Sequence, residues 1–320
     1  MNDRRRLVAI GELLIDFSGD RPGGIAGVET FRRHPGGAPA NVAVQYARLG
    51  GQAKLLTKLG NDGFGDYLLG VMAENGVDVA SVKRTGEAPT ALAFVALADN
   101  GERDFAFYRS PSADMLLAAA DIDPADFREG DILHFCSVDL VDAPVRRAHD
   151  RAIALAVERR MLVSFDPNLR FALWPDRDEL RKTVLRYLPH ADIVKVGEDE
   201  ATFLTGSNDE AAWSALLQGN VRLLVVTRGP AGATLFTRSR RIDVPGRNVK
   251  AVDTTGAGDA FIAAFLFALG WHGIGNAALD ADPEVLRKSL SYANRVASVV
   301  VTKHGAIPSL PTRAEVGDPA

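Results

Sequence analysis

The sequence predicts an α/β fold, a doubly wound and mainly parallel sheet with helices on both faces and a small β lid. Three observations carry that prediction. Short apolar or β-branched runs alternate with longer stretches of helical periodicity. The short runs are mainly apolar or β-branched, as strands covered on both faces are. One segment, Ala91–Tyr108, breaks the alternation with two strand-like runs around Asp99-Asn100-Gly101, a turn sequence that tolerates positive φ.

The strands read as Leu7–Ile10, Lys54–Leu59, Ile132–Phe135, Leu162–Phe165, Ile193–Val196 and Leu223–Thr227. Between them, Pro39–Leu49, Phe64–Glu74, Pro144–Arg159, Asp178–Tyr187 and Glu210–Leu217 carry apolar residues at helical spacing. Two further helices, Gly258–Leu269 and Pro283–Val301, close the chain. No internal repeat or low-complexity linker appears, so residues 1–320 read as one domain. The lid is expected from about residues 15–31, which are glycine-rich, together with 91–108.

Composition bounds the class without naming a chemistry. Hydrophobic residues make up 47 % and charged residues 24 %, ordinary for a globular protein. A net charge of −4 gives no general attraction to nucleic acid or anionic membrane. The opening MNDRRRLVAIGELLIDF has the flavour of a signal peptide, but Gly11-Glu12 and Asp16 break the apolar run, and it reads as a first strand. No stretch approaches the length of a membrane span. The single cysteine, Cys136, excludes an internal disulfide and fits a reducing cytoplasm. The runs Arg4–Arg6 and Arg238–Arg241 read as solvated faces, and His134 and Cys136 as core residues of an apolar strand.

Chemistry enters at Asp253-Thr254-Thr255-Gly256-Ala257-Gly258-Asp259, directly before a strongly apolar helix. Glycines let a backbone approach a ligand, and the first amides of a helix lack intrahelical partners. With the helix dipole they form a site for a phosphoryl group. Asp259, in the first turn, has two local readings of equal weight. It is a helix-end carboxylate favoured by the dipole, or a base that takes a proton from an attacking hydroxyl. Near the amino end, His34-Pro35-Gly36-Gly37 leads into a helix that carries Asn41, and Leu59-Gly60-Asn61-Asp62-Gly63-Phe64-Gly65 forms another turn into a helix.

Taken together and in this order, GGAPANVAVQYARLGG, LGNDGFG and DTTGAGDAF resemble the two signature regions of the ribokinase-like (PfkB) carbohydrate kinases. The resemblance runs from about Val8 to Pro311 and implies the ribokinase-like fold, with a β lid closing over a sugar. It implies that Asp259 is the catalytic base and that the amides around Gly256, Ala257 and Gly258 stabilise the transferring phosphoryl group. Asp16 matches the carboxylate that accepts bonds from sugar hydroxyls, and Gly36, Gly37 and Asn41 match the segment lining the sugar site.

On the nucleotide side, Thr227, Gly229 and Gly232 resemble the loop that contacts ATP, with Asn294 at the adenine-side position. Gly197-Glu198-Asp199-Glu200 aligns with the family's Asn-x-x-Glu motif, with glycine where asparagine is usual. Glu200 is therefore expected to serve Mg2+ through water. Asp253, Thr255 and Ser309 fall where some members hold a monovalent cation, which leaves K+ open. A homodimer is equally open.

Within the family the internal segments are similar to those of fructokinases. They are Phe107–Leu116, Phe165-Asp166-Pro167-Asn168-Leu169-Arg170 with Leu173-Trp174-Pro175, Ile193-Val194-Lys195-Val196 and Thr302–Pro308. This implies ATP-dependent phosphorylation of D-fructose at its 6-hydroxyl. Arg109, placed at the tip of the lid hairpin, and Asp166, Asn168 and Arg170 are expected at the substrate, Arg170 pairing with Asp166 or facing the γ-phosphate. Lys195 is expected on the ATP side. The alternative is 2-keto-3-deoxygluconate kinase, whose acidic substrate needs a cation that Arg109 or Arg170 would provide. A non-catalytic sugar-binding protein of the same fold is the alternative of a different class.

Overall fold

The computed structural model describes residues 5–98, 103–174 and 176–320. Strand β1 (Leu7–Ile10) enters the core, and the chain then leaves it for β2 (Leu14–Gly19), a single turn α1 (Gly24–Gly27) and β3 (Phe31–Gly36). Helix α2 (Ala38–Arg48) returns to β4 (Ala53–Leu56), β5 (Lys58–Gly60), α3 (Gly63–Glu74), β6 (Val77–Asp78) and β7 (Lys83–Thr85). A hairpin of β8 (Leu92–Leu97) and β9 (Arg103–Tyr108) follows, its Asp99-Asn100-Gly101 turn lying outside the described residues. Regular alternation then resumes with β10 (Ile132–Cys136), α4 (Pro144–Glu158), β11 (Leu162–Asp166), α5 (Arg177–Tyr187) and β12 (Ile193–Gly197). After α6 (Glu198–Thr205), α7 (Glu210–Trp213) and β13 (Leu223–Thr227) come β14 (Ala233–Phe236), β15 (Arg241–Val244), α8 (Ala257–Trp271), α9 (Pro283–Val300) and α10 (Arg313–Val316).

Nine strands form the main sheet in the order β15-β14-β13-β12-β11-β10-β1-β4-β6. It is parallel except for the antiparallel β14 and β15 at one edge. Successive residues of each central strand feed opposite cores. Leu7, Ala9, Ile132, Leu162, Ile193 and Leu223 face the side of α2, α8 and α9, while Val8, Leu133, Val163, Val194 and Leu224 face α4, α5 and α6. Helix α8 is buried from Asp259 to Leu269, so it is apolar all round rather than on one stripe. Each fully buried side chain such as Phe265 or Leu266 contributes about 1.5–3 kcal/mol. Among the described residues no helix is long and apolar enough to cross a membrane.

The small sheet has the order β3-β2-β8-β9, with β2 and β8 parallel. It reaches Gly36, beyond the boundary near residue 31 expected from sequence, because Phe31–Gly36 pairs with β2 along its full length. The expected strand Lys54–Leu59 divides at Thr57: β4 joins β1 in the main sheet, and β5 pairs instead with β7. The expected helix Glu210–Leu217 tightens into a 3-10 turn at Ser214–Leu216, where the Ser214 hydroxyl donates back to the Ala211 carbonyl. Arg6 does not belong to a solvated face. It is buried against Asp131 at 2.7 Å, its charge balanced where water is excluded. Arg4 and Pro175 lie outside the described residues.

Candidate active site

The carboxyl ends of β10, β11, β12 and β13 open on one edge of the sheet, the edge where parallel α/β sheets bind ligands. Asp259, buried in the first turn of α8, sits over it. Its Oδ2 accepts from Asn41 Nδ2 at 2.8 Å, and its Oδ1 from Asn168 Nδ2 at 3.2 Å. Three separate segments thus converge on one carboxylate. Burial raises its pKa, opposed by the Asn41 hydrogen bond and by the charges of Arg170 and Lys195. The Asn41 side-chain oxygen Oδ1, also buried, has no hydrogen-bond partner among the described residues.

Asp16 projects from β2, half-buried, and its pKa is pushed up to about 6 by burial, with Arg170 lowering it and Asp259 raising it. Its carboxylate lies over Gly36: a Cβ there would come 2.0 Å from Asp16 Oδ2, so only glycine leaves room. Gly37 caps α2, and Asn41 rides in that helix's first turn. Asn168 takes a left-handed φ of 48° as the chain turns out of β11, so it is both strand-ending turn and Asp259 partner.

Lys195 is buried on β12 and donates to Asp166 Oδ2 at 2.9 Å, leaving Asp166 Oδ1 buried without a partner. The Asp166 carboxyl is raised by burial, against the pull of Lys195. Lys195 Nζ also abuts the start of α8, where a Cβ on Gly258 would lie 2.8 Å from it. A cation against the positive end of a helix is disfavoured unless an anion joins it there. Asp166 supplies one such anion, and the start of α8 with Lys195 forms a positive spot that suits a further one. The Gly256 and Gly258 amides have no backbone partner among the described residues. The Ala257 amide, expected to join them, is committed to the Thr254 carbonyl at 3.2 Å by the turn that starts the helix.

Several residues depart from expectation. Arg109 is not at a hairpin tip but directly after β9, at its base, and is buried. It donates to Asp114 Oδ2 at 2.6 Å, to Asp139 and to the Val138 carbonyl, because a guanidinium out of water needs counter-charges. Arg170 does not pair with Asp166, which Lys195 occupies. It is exposed, without an ion pair among the described residues, and its charge falls on Asp16 and Asp259. Glu200 spends both oxygens on backbone amides, Leu169 at 2.6 Å and Gly197 at 2.7 Å, so it caps α6 and fixes the turn that carries Asn168.

Thr227 ends β13, with Gly229 and Gly232 in the turn after it. Asn294, on α9, donates to the Val244 and Pro245 carbonyls at 3.4 and 3.2 Å, and so braces the loop beyond β15 instead of presenting its amide outward. Asp253 accepts from the Thr255 amide and hydroxyl and from the Gly305 amide, and the buried Ser309 hydroxyl donates to the Ala306 carbonyl. Among the described residues no group of three His, Cys, Asp or Glu side chains could hold a metal by itself. The residue that the sequence reading passed over is Glu12, buried just past β1, whose Oε1 holds the Ala38 amide at 2.9 Å. An acid directly after an apolar strand is the signal that could have found it.

The family model for pfkB family carbohydrate kinases matches residues 4–313. Fructokinase-1 of Oryza sativa subsp. japonica is 44 % identical over 313 residues, covering 97 % of this chain and 96 % of that one. Fructokinase with bound ATP from Xylella fastidiosa superposes with a TM-score of 0.90 at 36 % identity, covering 98 % of this chain and 97 % of the other. A fructokinase double mutant from Vibrio cholerae, in its fructose, ADP and potassium ion bound form, gives a TM-score of 0.86 at 33 % identity over 99 % and 98 % of the two chains.

Proposed function

Because the chain belongs to the pfkB family of carbohydrate kinases, we propose that it transfers the γ-phosphoryl group of ATP to the 6-hydroxyl of D-fructose, with Asp259 as base. The observation that carries this reading is the convergence of Asn41 and Asn168 on Asp259 at the amino end of α8. The two amides aim the carboxylate, and the Asn41 bond favours its ionised form against the burial that raises it, so that a sugar hydroxyl held beside it loses its proton as the phosphorus–oxygen bond forms. Asp16 and the Gly36-Gly37 loop hold the remaining hydroxyls, with the small sheet acting as a lid that keeps water out. The Gly256 and Gly258 amides and Lys195 face the charge on the transferring group.

ATP lies along the turn at Thr227, Gly229 and Gly232, with Asn294 bracing the loop that walls it. Magnesium, where bound with the nucleotide, would supply charge shielding for the phosphates. Asp166, with its unpartnered buried Oδ1, is the carboxylate that fits it; Glu200 has both oxygens engaged. The Asp253 carboxylate accepts three hydrogen bonds, from the Thr255 amide and hydroxyl and the Gly305 amide, and it would hold a monovalent cation only through its remaining lone pair. The free and buried Cys136 suits a reducing cytoplasm.

Charge favours a neutral sugar over 2-keto-3-deoxygluconate. Of the two arginines that could meet a substrate carboxylate, Arg109 is spent on Asp114 and Asp139, and the charge of the exposed Arg170 falls beside two acids, Asp16 and Asp259, that a substrate carboxylate would crowd. A coupled ADP-release assay across fructose, ribose, 2-keto-3-deoxygluconate and adenosine tests the reading. Fructose is expected to give the highest kcat/KM, and a preference for any of the other three overturns it.

A further inference from the structure

Beside the turn between β13 and β14, four charged side chains that the transfer chemistry does not use close a ring. Arg228 sits in that turn, between Thr227 and Gly229. It donates from Nη1 to Glu210 Oε1 at 2.8 Å and from Nη2 to Asp243 Oδ1 at 3.2 Å. Arg241 holds the other oxygens of the same two acids. It pairs with Glu210 Oε2 and donates from Nε to Asp243 Oδ2 at 2.9 Å. Each carboxylate thus bridges two arginines, and each arginine bridges two carboxylates. The buried Thr234 hydroxyl, opposite Asp243 in the β14–β15 ladder, donates to Asp243 Oδ1 at 2.7 Å and accepts from Arg228. An isolated surface ion pair contributes little, but a network built on forked guanidinium contacts is the exception.

We propose that this ring positions the nucleotide turn, and that Glu210, Asp243 and Arg241 act on ATP binding through Arg228. The proposal rests on the reading that ATP lies along Thr227, Gly229 and Gly232. Arg228 is where the turn is both closed and anchored. Its amide donates to the Gly232 carbonyl at 2.8 Å and its carbonyl accepts from the Ala231 amide at 3.0 Å, while its side chain is one corner of the ring. The turn also lies backbone against backbone on the loop after β15. A Cβ on Gly232, at a φ of 99°, would come 2.2 Å from the Val244 carbonyl oxygen, and one on Gly246 2.2 Å from that of Pro230. No side chain fits between the two, so their spacing depends on what holds each of them. Asn294 holds the Val244 and Pro245 carbonyls from α9. Asp243, the residue before Val244, ties that same stretch to Arg228, and Glu210 brings in α7 as a third support. Glu210, Asp243 and Arg241 lie outside the turn, so they are positioning residues.

The experiment compares wild type with Glu210→Gln, Asp243→Asn and Arg241→Gln. The first two keep the shape of the side chain and remove its charge, and the third opens the ring at the corner that does not touch the turn. KM for ATP is expected to rise about two- to fivefold in each, while kcat and KM for fructose hold. A second readout needs no substrate. Hydrogen exchange at the Ala231 and Gly232 amides, measured without nucleotide, should quicken by a similar factor in all three, with exchange in β12 and α8 unmoved. Wild-type exchange at both amides in every variant would overturn the ring as a positioning device, whatever KM does. Exchange that quickens across the whole chain would overturn it too, since the ring would then serve stability alone. An effect of the two acids without one of Arg241 would overturn the closed ring and leave separate pairs. Faster exchange at the turn with an unmoved KM for ATP would instead overturn the placement of ATP there. Should one variant fail to fold, the other two carry the same comparison.

Discussion

The Asn41 side-chain amide donates to Asp259 Oδ2 at 2.8 Å across 218 positions of sequence. This bond joins the helix after Gly36-Gly37 to the helix after Gly256, so the proposed sugar and phosphoryl sites share one carboxylate. Replacing Asp259 by Asn is expected to lower kcat by roughly 10²–10⁴-fold. Fructose affinity, measured by calorimetry, should change little. Retained turnover in Asp259→Asn would remove Asp259 as the base.

Asn41→Ala tests the bond itself. A hydrogen bond to the ionised form lowers a carboxyl pKa, so its loss raises the Asp259 value further. The acid limb of kcat against pH should move to higher pH, with kcat at neutral pH down about tenfold. A variant with lower kcat and an unmoved limb would mean that Asn41 acts on the sugar alone.

The wild-type acid limb follows from the same groups. Asp16 is pushed up to about 6, and Asp259 is raised as well, so both must lose a proton that an ordinary carboxyl would already have shed. Activity, kcat/KM above all, is expected to fall as pH drops through about 6. Lowered values at Asp253 and Asp62 act only at more acidic pH and do not shape this limb.

How much of this was legible depends on whether the cause was local. The place of Asp259 in a first helical turn could be read locally, from two glycines and an apolar run, but its role as base came only from the resemblance, and its partners Asn41 and Asn168 arrive from 218 and 91 residues away. Asp16 and Gly36 were legible as a sugar-side pair only through resemblance; their direct contact comes from the register of β2 on β3. Arg109 was misplaced because sequence shows a cation beside a hairpin and cannot show Asp139 folded under it. Glu12 was missed for the same reason: its hydrogen-bond partner arrives from α2. The β14–β15 pair escaped because Arg238–Arg241 reads as a charge run, although it covers the turn between the two antiparallel strands and the first residue of β15.

Gly36→Ala separates sugar binding from chemistry. The added Cβ would fall 2.0 Å from Asp16 Oδ2 and must displace that carboxylate. KM for fructose is expected to rise about tenfold or more, the loss of one charged hydrogen-bonding group, with kcat affected less. An unchanged KM would show that Asp16 does not hold the sugar.

Lys195→Met removes the cation that abuts Gly258 and pairs with Asp166. Breaking a buried pair from one side ordinarily costs about 3–5 kcal/mol, because the remaining charge is stranded. Asp166 is already raised by burial, so it takes up a proton when Lys195 is gone, and the loss should lie below that range near neutral pH and grow as pH rises. Adding Asp166→Asn should restore Tm and flatten its pH dependence, since the amide carries no charge. It should not restore ATP affinity, because the cation that abuts Gly258 is still missing. Recovery of both stability and KM for ATP in the double variant would show that the pair is structural and that the phosphoryl group is held by the α8 amides alone.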